Sequence, residues 1–181
     1  SIEQRKSRKL IMTNIDIAII DYECGNIHSA RKAFELALSE LEISGKVTVT
    51  NDIKTISKSD KLVLPGVGAF NECYKKLMSI EGLSECIINK VFKQNVPILG
   101  ICVGLQLMAD RGFENLETKG LGWISGQVKN LCPEDKKLKI PHMGWNEVYF
   151  KKDNNKFYDL SGENFYFVHS YYFDAGDKDN I

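Results

Sequence analysis

Disulfides, membrane spans and metal centres have little support in this chain. The five cysteines, at positions 24, 73, 86, 102 and 132, form no Cys-x-x-Cys pair and no regular framework, and the 181 residues include three scattered histidines. An odd number of scattered cysteines is more typical of a reducing cytosol than of a secreted, disulfide-linked domain. No apolar run approaches the roughly 18 residues needed to cross a bilayer. We therefore expect a cytoplasmic protein without a metal site.

An excess of charge of either sign is also absent. The 24 basic residues balance the 24 acidic ones, so no overall field attracts nucleic acid or an anionic membrane. The sequence contains no Walker-type phosphate loop and no dinucleotide-binding fingerprint. We therefore expect no cofactor, and we expect a small molecule or another protein as the binding partner.

The length and composition fit one globular domain. With 43% hydrophobic and 27% charged residues, 181 residues can build one substantial core. Residues 1–11 are basic but lack the apolar middle of a secretory signal, so we interpret them as a leader or as added residues. Residues 12–181 are then a single domain. Its C-terminal end is expected to be missing, because the sequence stops in a polar loop at residues 176–181.

The first half of the chain alternates predicted strands and helices. Apolar or β-branched runs predict strands at residues 15–20, 46–50, 61–64 and 96–102, and helical patterns lie between them at 27–41, 52–57, 69–78 and 83–94. This alternation is typical of a doubly wound α/β fold with a mostly parallel sheet and helices on both faces. Ligands of such sheets collect at the carboxyl ends of the strands. The loops at Tyr22, Gly66 and Cys102 are all expected at that edge.

The most informative segment is Val96 to Met108, where a cysteine between two glycines joins a strand to a helix. The apolar run predicts a buried strand, while Gly100 and Gly104 remove side chains that would obstruct a sharp, strained turn at Cys102. A helix predicted over Leu105 to Asp110 would direct free N–H groups at the sulfur, which favours the thiolate and can bind an oxyanion. The alternative is that Cys102 is a buried, inert residue of a packed turn.

The sequence becomes strand-rich beyond Gly112. Aromatic and β-branched residues dominate the segments Met143 to Phe150 and Phe165 to Phe173. The stretches Cys132 to Lys139 and Lys151 to Lys156 are polar and charged, and we interpret them as solvated connectors. The second half is therefore expected to consist mostly of strands.

Six separate motifs between residues 15 and 173 resemble the class I, triad-type glutamine amidotransferases. The glycine-flanked Cys102 segment is shared by that whole superfamily. The motifs Pro65-Gly66-Val67-Gly68 and Pro141-His142-Met143-Gly144-Trp145-Asn146 are more specific and are similar to the glutaminase subunits of imidazole glycerol phosphate synthases, which act in histidine biosynthesis. The other matches are Asp21-Tyr22 with Gly25-Asn26, Gly120-Leu121-Gly122-Trp123, and Tyr166 to Tyr171.

The resemblance implies a reaction and a set of residues for it. Cys102 would attack the side-chain carboxamide of L-glutamine, form a glutamyl thioester and release ammonia, and water would then free glutamate. The backbone of Val103 and of Val67 and Gly68 would supply the oxyanion site, after a peptide flip that the flanking glycines make cheap. The implied glutamine-binding residues are Gly66, Gln106, Glu114, Ser170 and Tyr171.

The resemblance also implies a partner. In the family the glutaminase docks on a (β/α)8 synthase subunit to form a heterodimer, and ammonia passes through the barrel to the reaction that makes imidazole glycerol phosphate and AICAR. Docking would exclude solvent, in which ammonia is lost by protonation and dilution. Asn26, Trp145 and Tyr166 match positions that face the partner, where exposed aromatic residues would be natural anchors. For Trp145 the alternative is packing in the core of the strand-rich half.

Part of the family's catalytic triad is missing from this sequence. The family uses a histidine as base and a glutamate to orient it, both from a His-Pro-Glu segment. None of His28, His142 and His169 is followed by Pro-Glu, and His169 matches the substrate segment instead of the base. We expect the 181 residues to be a truncated portion of a longer protein, with little glutaminase activity by themselves.

Three other functions stay open at this point. A paralogous subunit that supplies ammonia for surface-sugar amidation would share the Cys102 segment, because its substrate is also glutamine. A non-catalytic binding subunit would keep only the partner contact. A cysteine hydrolase or peptidase would keep the turn but accept other amides or esters. The pair Gln106 and Glu114 argues against the last function, since a carboxamide and a carboxylate suit one small zwitterion.

Overall fold

The computed structural model describes residues 14–150 and 157–177. The expected leader at residues 1–11 and the connector Lys151 to Lys156 lie outside the described residues. The chain divides after Leu105 into two compact units. In the described part of the chain, every helix is too short or too polar to cross a membrane.

The first unit is built on a four-stranded parallel sheet in the order β2-β1-β3-β4. Its strands are β1 (Ile15–Ile20), β2 (Gly45–Thr50), β3 (Lys61–Gly66) and β4 (Ile98–Cys102). Its helices are α1 (Ile27–Glu40), α2 (Ile53–Lys58), α3 (Phe70–Ser79) and α4 (Leu83–Ile88), the last extended by a π-helical turn at Asn89–Lys93. A short helix, α5 (Val103–Gln106), follows β4 directly. The predicted α/β class with a parallel sheet is confirmed.

Helix α1 illustrates how local sequence fixes an element and its packing. The Asn26 side chain caps the helix by accepting a hydrogen bond from the Ser29 N–H at 3.1 Å. The apolar face of the helix packs on the sheet. The resulting hydrophobic cluster joins Ile27, Ala30, Phe34 and Leu38 of the helix to Ile15, Ile17, Ile19, Val47, Val49 and Val63 of the strands. This core holds β1, β2 and β3 together and thereby fixes where their carboxyl ends lie.

Strand β4 differs from its prediction. The apolar run predicts a buried strand, but β4 lies at the edge of the sheet and pairs, among the described residues, only with β3. Leu99 and Ile101 share one face of the strand, and both are exposed. The apolar sequence of a strand permits its burial. Whether the strand is buried depends on the neighbouring elements, which the strand's own sequence does not specify.

The helix after Cys102 is shorter and begins earlier than predicted. The pattern predicts a helix over Leu105 to Asp110, but α5 covers Val103–Gln106 and ends in turns. The Leu107 carbonyl accepts a hydrogen bond from the Leu121 N–H at 2.7 Å, and the Met108 carbonyl accepts one from the Trp123 N–H at 2.8 Å. These carbonyls therefore bind a distant segment instead of continuing the helix.

The second unit contains a four-stranded sheet and a two-stranded hairpin. The sheet has the order β10-β7-β5-β6, with β5 (Arg111–Gly112), β6 (Thr118–Lys119), β7 (Gly126–Asn130) and β10 (Tyr171–Ala175). The hairpin pairs β8 (His142–Val148) with β9 (Glu163–His169) in antiparallel register. The predicted strand-rich second half is confirmed, and the segment Phe165 to Phe173 divides at Ser170 between the hairpin and the sheet.

Candidate active site

Cys102 is the last residue of β4 and has a strained backbone. Its φ is +53°, in the left-handed region that costs a residue with a β-carbon about 1–2 kcal/mol. The residue is exposed, and α5 begins immediately after it. The predicted sharp turn from strand to helix is confirmed, and the alternative of a buried cysteine is wrong.

Two glycines allow this turn to lie directly against β3. A β-carbon at Gly104 would be 1.8 Å from the Leu64 carbonyl oxygen, and one at Gly66 would be 2.4 Å from the Gly104 nitrogen. β-Carbons do not approach backbone atoms this closely, so both positions require glycine. Gly66 also lies opposite Cys102 in the parallel register of β3 and β4. The close contact therefore places Cys102 beside the start of the Gly66-Val67-Gly68 loop.

Tyr22 supports the end of β3, a role that the sequence did not reveal. The side chain is buried, and its hydroxyl donates a hydrogen bond to the Pro65 carbonyl. Burial, together with the nearby thiols of Cys73, Cys24 and Cys102, raises the pKa of Tyr22 far above its usual value. The hydroxyl therefore stays protonated and remains a donor. Its position directly after a strand was the available signal, but a hydrogen bond to Pro65 is not visible in the sequence.

Cys73, on α3, holds the carbonyl of Val67. Its thiol donates to the Val67 carbonyl oxygen with a sulfur–oxygen distance of 3.5 Å. Burial raises the pKa of the Cys73 thiol to about 12, so the group stays protonated at neutral pH. The next residue, Gly68, has a φ of +114°, and a β-carbon there would meet nothing within 4 Å. The loop thus has one oriented carbonyl followed by a residue with space around it.

A cavity of about 430 Å³ adjoins this loop. Both Val67 and Asn26 line it, so the structure brings together a predicted oxyanion residue and a predicted partner-facing residue. Lys76 also lines the cavity and donates to the Glu23 carbonyl at 3.0 Å. This contact ties α3 to the loop after β1.

The predicted glutamine-binding residues of the second unit occupy two places. Gln106 ends α5 and Glu114 follows β5, and both are half-buried. Ser170 and Tyr171 lie where the chain leaves β9 for β10, and the Ser170 carbonyl accepts a hydrogen bond from the Leu131 N–H at 2.8 Å. The Ser170–Tyr171 turn is therefore anchored to the chain beside β7.

The hairpin has an exposed apolar face, formed by Met143, Trp145, Tyr166 and Val168. Trp145 is 70% exposed and Tyr166 is 55% exposed. The two lie opposite each other, and their rings meet edge to face with centroids 5.5 Å apart. The alternative that Trp145 packs in a core is wrong. An aromatic pair open to solvent on a two-stranded hairpin is typical of an interaction surface.

The opposite face of the hairpin carries a histidine pair that sequence reasoning did not identify. His142 and His169 lie across from each other, with His142 Nδ1 and His169 Nε2 2.8 Å apart. The ring of Phe167 stacks on His142 with centroids 5.1 Å apart. Both histidines belong to motifs singled out in the sequence, but their contact depends on strand register. Within residues 14–150 and 157–177, no cluster of histidine, cysteine and carboxylate side chains is suited to a metal ion.

Comparison with known proteins places these features in a family. The model of the class-I glutamine amidotransferases matches residues 18–180. An imidazole glycerol phosphate synthase subunit HisH of Brucella suis is 44% identical over 169 residues, which cover 91% of this chain and 78% of the relative. The HisH subunit of Ruegeria pomeroyi is 47% identical over 157 residues, covering 86% of this chain and 74% of the relative.

A solved structure supports the fold. A crystal structure described as that of a glutamine amidotransferase matches with a TM-score of 0.60 and 15% identity, covering 90% of this chain and 75% of the other. The family model spans both units of the chain, and the relatives are aligned over more than two thirds of their length. The chain therefore belongs to the class-I glutamine amidotransferases and, within them, to the HisH family.

Proposed function

We propose that this chain is the glutaminase subunit of an imidazole glycerol phosphate synthase and supplies ammonia to a (β/α)8 synthase partner. The exposed, strained Cys102 at the turn between β4 and α5 is the observation that carries the proposal. The HisH relatives support the identity of the synthase. The family model crosses the boundary after Leu105, which supports one amidotransferase domain made of both units. Five free thiols support a reducing, cytoplasmic location.

The proposed reaction begins at the Cys102 sulfur. The thiolate attacks the side-chain carboxamide carbon of L-glutamine, and the carbonyl oxygen becomes an oxyanion. We assign the N–H of Val103 and the Val67–Gly68 peptide to that oxyanion. The carbon–nitrogen bond then breaks as the nitrogen takes up a proton from solvent, and ammonia leaves. Water attacks the thioester carbon and loses a proton to solvent, the carbon–sulfur bond breaks, and glutamate and the Cys102 thiolate are released. These steps are nucleophilic substitutions with proton transfer and need no cofactor.

The contact between Cys73 and Val67 suggests how the oxyanion site is controlled. A peptide directs its carbonyl and its N–H in opposite directions. While the Cys73 thiol binds the Val67 carbonyl, the Gly68 N–H is held pointing away from Cys73. A flip of this peptide has to break that hydrogen bond, and the space around Gly68 permits the rotation. Cys73 therefore stabilises one of the two orientations of the loop.

Substrate binding is assigned to Gly66 and to four residues of the second unit, Gln106, Glu114, Ser170 and Tyr171. The carboxylate of Glu114 suits the ammonium group of glutamine, and the Gln106 carboxamide suits its polar head. These assignments follow the family motifs.

A covalent glutamine analogue tests the nucleophile separately from turnover. The sequence has no His-Pro-Glu segment, so we expect slow glutamine turnover by the 181 residues alone. Alkylation by 6-diazo-5-oxo-L-norleucine forms a carbon–sulfur bond at the nucleophile and releases dinitrogen after one proton is taken up from solvent, so it needs the binding site but no hydrolysis step. Mass spectrometry should find the adduct on Cys102, and excess glutamine should slow its formation. Labelling of Cys132, the other exposed thiol, at an equal rate would refute the assignment.

Turnover itself tests the expectation about the missing base. The 181 residues with their synthase partner should hydrolyse glutamine slowly. Sustained hydrolysis whose rate at saturating glutamine is abolished by His169→Ala would show that His169 is the general base and that the expectation is wrong.

The exposed hairpin face is assigned to the synthase partner, together with Asn26. Exposed aromatic residues are frequent energetic anchors of interfaces. Trp145→Ala should weaken association by at least about tenfold, equivalent to about 1.4 kcal/mol. The matched control is Phe92→Ala, which removes an exposed aromatic ring of the first unit. Equal effects of both substitutions would place the interface elsewhere.

The identity of the co-purifying partner separates the remaining alternatives. A (β/α)8 synthase supports the proposal, whereas a sugar-modifying ligase would indicate the surface-sugar pathway. In a strain that needs this subunit, Cys102→Ala should abolish growth without histidine. Unchanged growth would indicate a non-catalytic binding subunit, and hydrolysis of a panel of amides in preference to glutamine would indicate a general cysteine hydrolase.

A further inference from the structure

The histidine pair belongs to a continuous chain of hydrogen bonds within the second unit. Asn146 Nδ2 lies 3.1 Å from His142 Nε2, and His142 Nδ1 lies 2.8 Å from His169 Nε2. His169 Nδ1 lies 2.9 Å from the carbonyl oxygen of Tyr171. The chain thus begins on β8, crosses to β9 and ends on the first residue of β10.

The last acceptor fixes the direction of every hydrogen bond when both rings are neutral. The Tyr171 carbonyl can only accept, so His169 carries its proton on Nδ1 and accepts at Nε2. His142 must then donate from Nδ1 and accept at Nε2. Asn146 must then donate from its amide nitrogen, and this nitrogen is the atom that faces His142 Nε2. Both rings are therefore Nδ1–H tautomers.

A ring contact also holds the pair in place. Phe167 stacks on His142 at an interplanar angle of 26°. Phe167 lies opposite Gly144, between His142 and Asn146 on the same face of the hairpin. His142 and Asn146 are two strand positions on either side of Gly144, so both side chains project from the same face of β8.

We propose that His142 and His169 are positioning residues that fix the Ser170–Tyr171 turn for glutamine. The turn is held at two carbonyls: Ser170 accepts from Leu131 N–H and Tyr171 accepts from His169. The hydrogen bond from His169 to Tyr171 depends on His169 Nε2 accepting a hydrogen bond from His142. His142 lies on β8, the strand that also carries Trp145. The hairpin that presents the partner face thus orders the turn through the histidine pair. The inference rests on the proposed function, because only that function gives the turn a glutamine contact.

The tautomers can be observed without any activity. Long-range ¹H–¹⁵N spectra of the uniformly ¹⁵N-labelled chain, recorded where both rings are neutral, distinguish protonated from unprotonated ring nitrogens. His142 and His169 should both show protonated Nδ1 and unprotonated Nε2. The exposed His28 serves as an internal reference, and His28→Ala assigns its signals. An Nε2–H tautomer, or a rapidly exchanging mixture, at either residue of the pair would overturn the proposal.

Two amide substitutions test the role of His142 in glutamine binding. Asparagine places its amide nitrogen near the position of Nδ1 and can still donate to His169, whereas glutamine places its amide near Nε2 and cannot. In a Cys102→Ala background with the synthase partner, calorimetry measures the Kd of L-glutamine without turnover. His142→Gln should raise this Kd about five- to tenfold, the effect of losing one hydrogen bond, and His142→Asn should change it by less than about twofold.

The possible outcomes separate the two proposals. If Cys102→Ala alone binds no glutamine, the proposed function fails and the positioning role fails with it. If it binds glutamine and both His142 variants bind equally well, only the positioning role fails. Thermal melting and partner affinity of the two variants should match each other, and a loss of fold confined to His142→Gln would show that the pair stabilises the hairpin instead of the turn.

Discussion

Replacing Gly104 by alanine tests whether the turn at Cys102 rests directly on the backbone of β3. On helix propensity alone the exchange stabilises α5 by up to about 1 kcal/mol, because glycine is the poorer helix former. The structure predicts the opposite sign. The added methyl group would lie 1.8 Å from the Leu64 carbonyl oxygen and 2.9 Å from the Pro65 carbonyl carbon. Both neighbours are backbone atoms of β3.

The size of the effect follows from what has to move. To bring the added methyl group to a normal van der Waals distance from the Leu64 carbonyl oxygen, β3 and α5 have to separate by more than an ångström. This movement is opposed because β3 is paired with a strand on each side and Leu64 is fully buried. We expect the free energy of unfolding to fall by about 3 kcal/mol, the upper part of the range for overpacked cores. The corresponding decrease in melting temperature is about 6–12 °C for a chain of this size.

Urea unfolding followed by circular dichroism measures this difference. The matched control is Gly68→Ala, where a β-carbon would meet nothing within 4 Å but φ is +114°. The free energy of unfolding of Gly68→Ala should fall by only about 1 kcal/mol, which is the cost of a β-carbon at this positive φ. A Gly104→Ala chain as stable as the parent, or no less stable than Gly68→Ala, would refute the close contact between the turn and β3.

Three further predictions concern cysteines. Cys102→Gly should be about 1 kcal/mol more stable than Cys102→Ala in urea unfolding, because glycine accepts the φ of +53° without strain; equal stabilities would contradict the strained turn. In the native chain, Ellman's reagent should modify the exposed Cys102 and Cys132 quickly and the buried Cys24 and Cys73 slowly, and fast modification of Cys24 or Cys73 would contradict their burial. Burial raises the pKa of Cys73 from 9.0 to about 12, so its contribution to stability is complete below pH 9 and is lost as the pH rises towards 12. The free energy of unfolding should fall in that window by up to about 1.4 kcal/mol per pH unit, and a Cys73→Ala slope as steep as the parent's would disprove this cause.

Local patterns in the sequence determined the helices and strands of the first unit and the sharp turn at Cys102. The helical pattern at residues 27–41 predicts α1, and the structure confirms its packed apolar face and adds the cap at Asn26. The glycines on either side of Cys102 predict a sharp turn, which its φ confirms. These signals are readable because a cap, a periodic face and a turn each depend on a few neighbouring residues.

Only the tertiary structure decided the features that join distant segments. The hydrogen bond from Tyr22 to Pro65 spans 43 residues, and the contact of His142 with His169 spans 27. The length of α5 was decided in the same way, since the Leu107 carbonyl binds Leu121 instead of a further helical turn. A strand's sequence limits which faces it can bury, but its register and its neighbours depend on how the whole sheet pairs. Contacts set by register therefore became visible only in the folded chain.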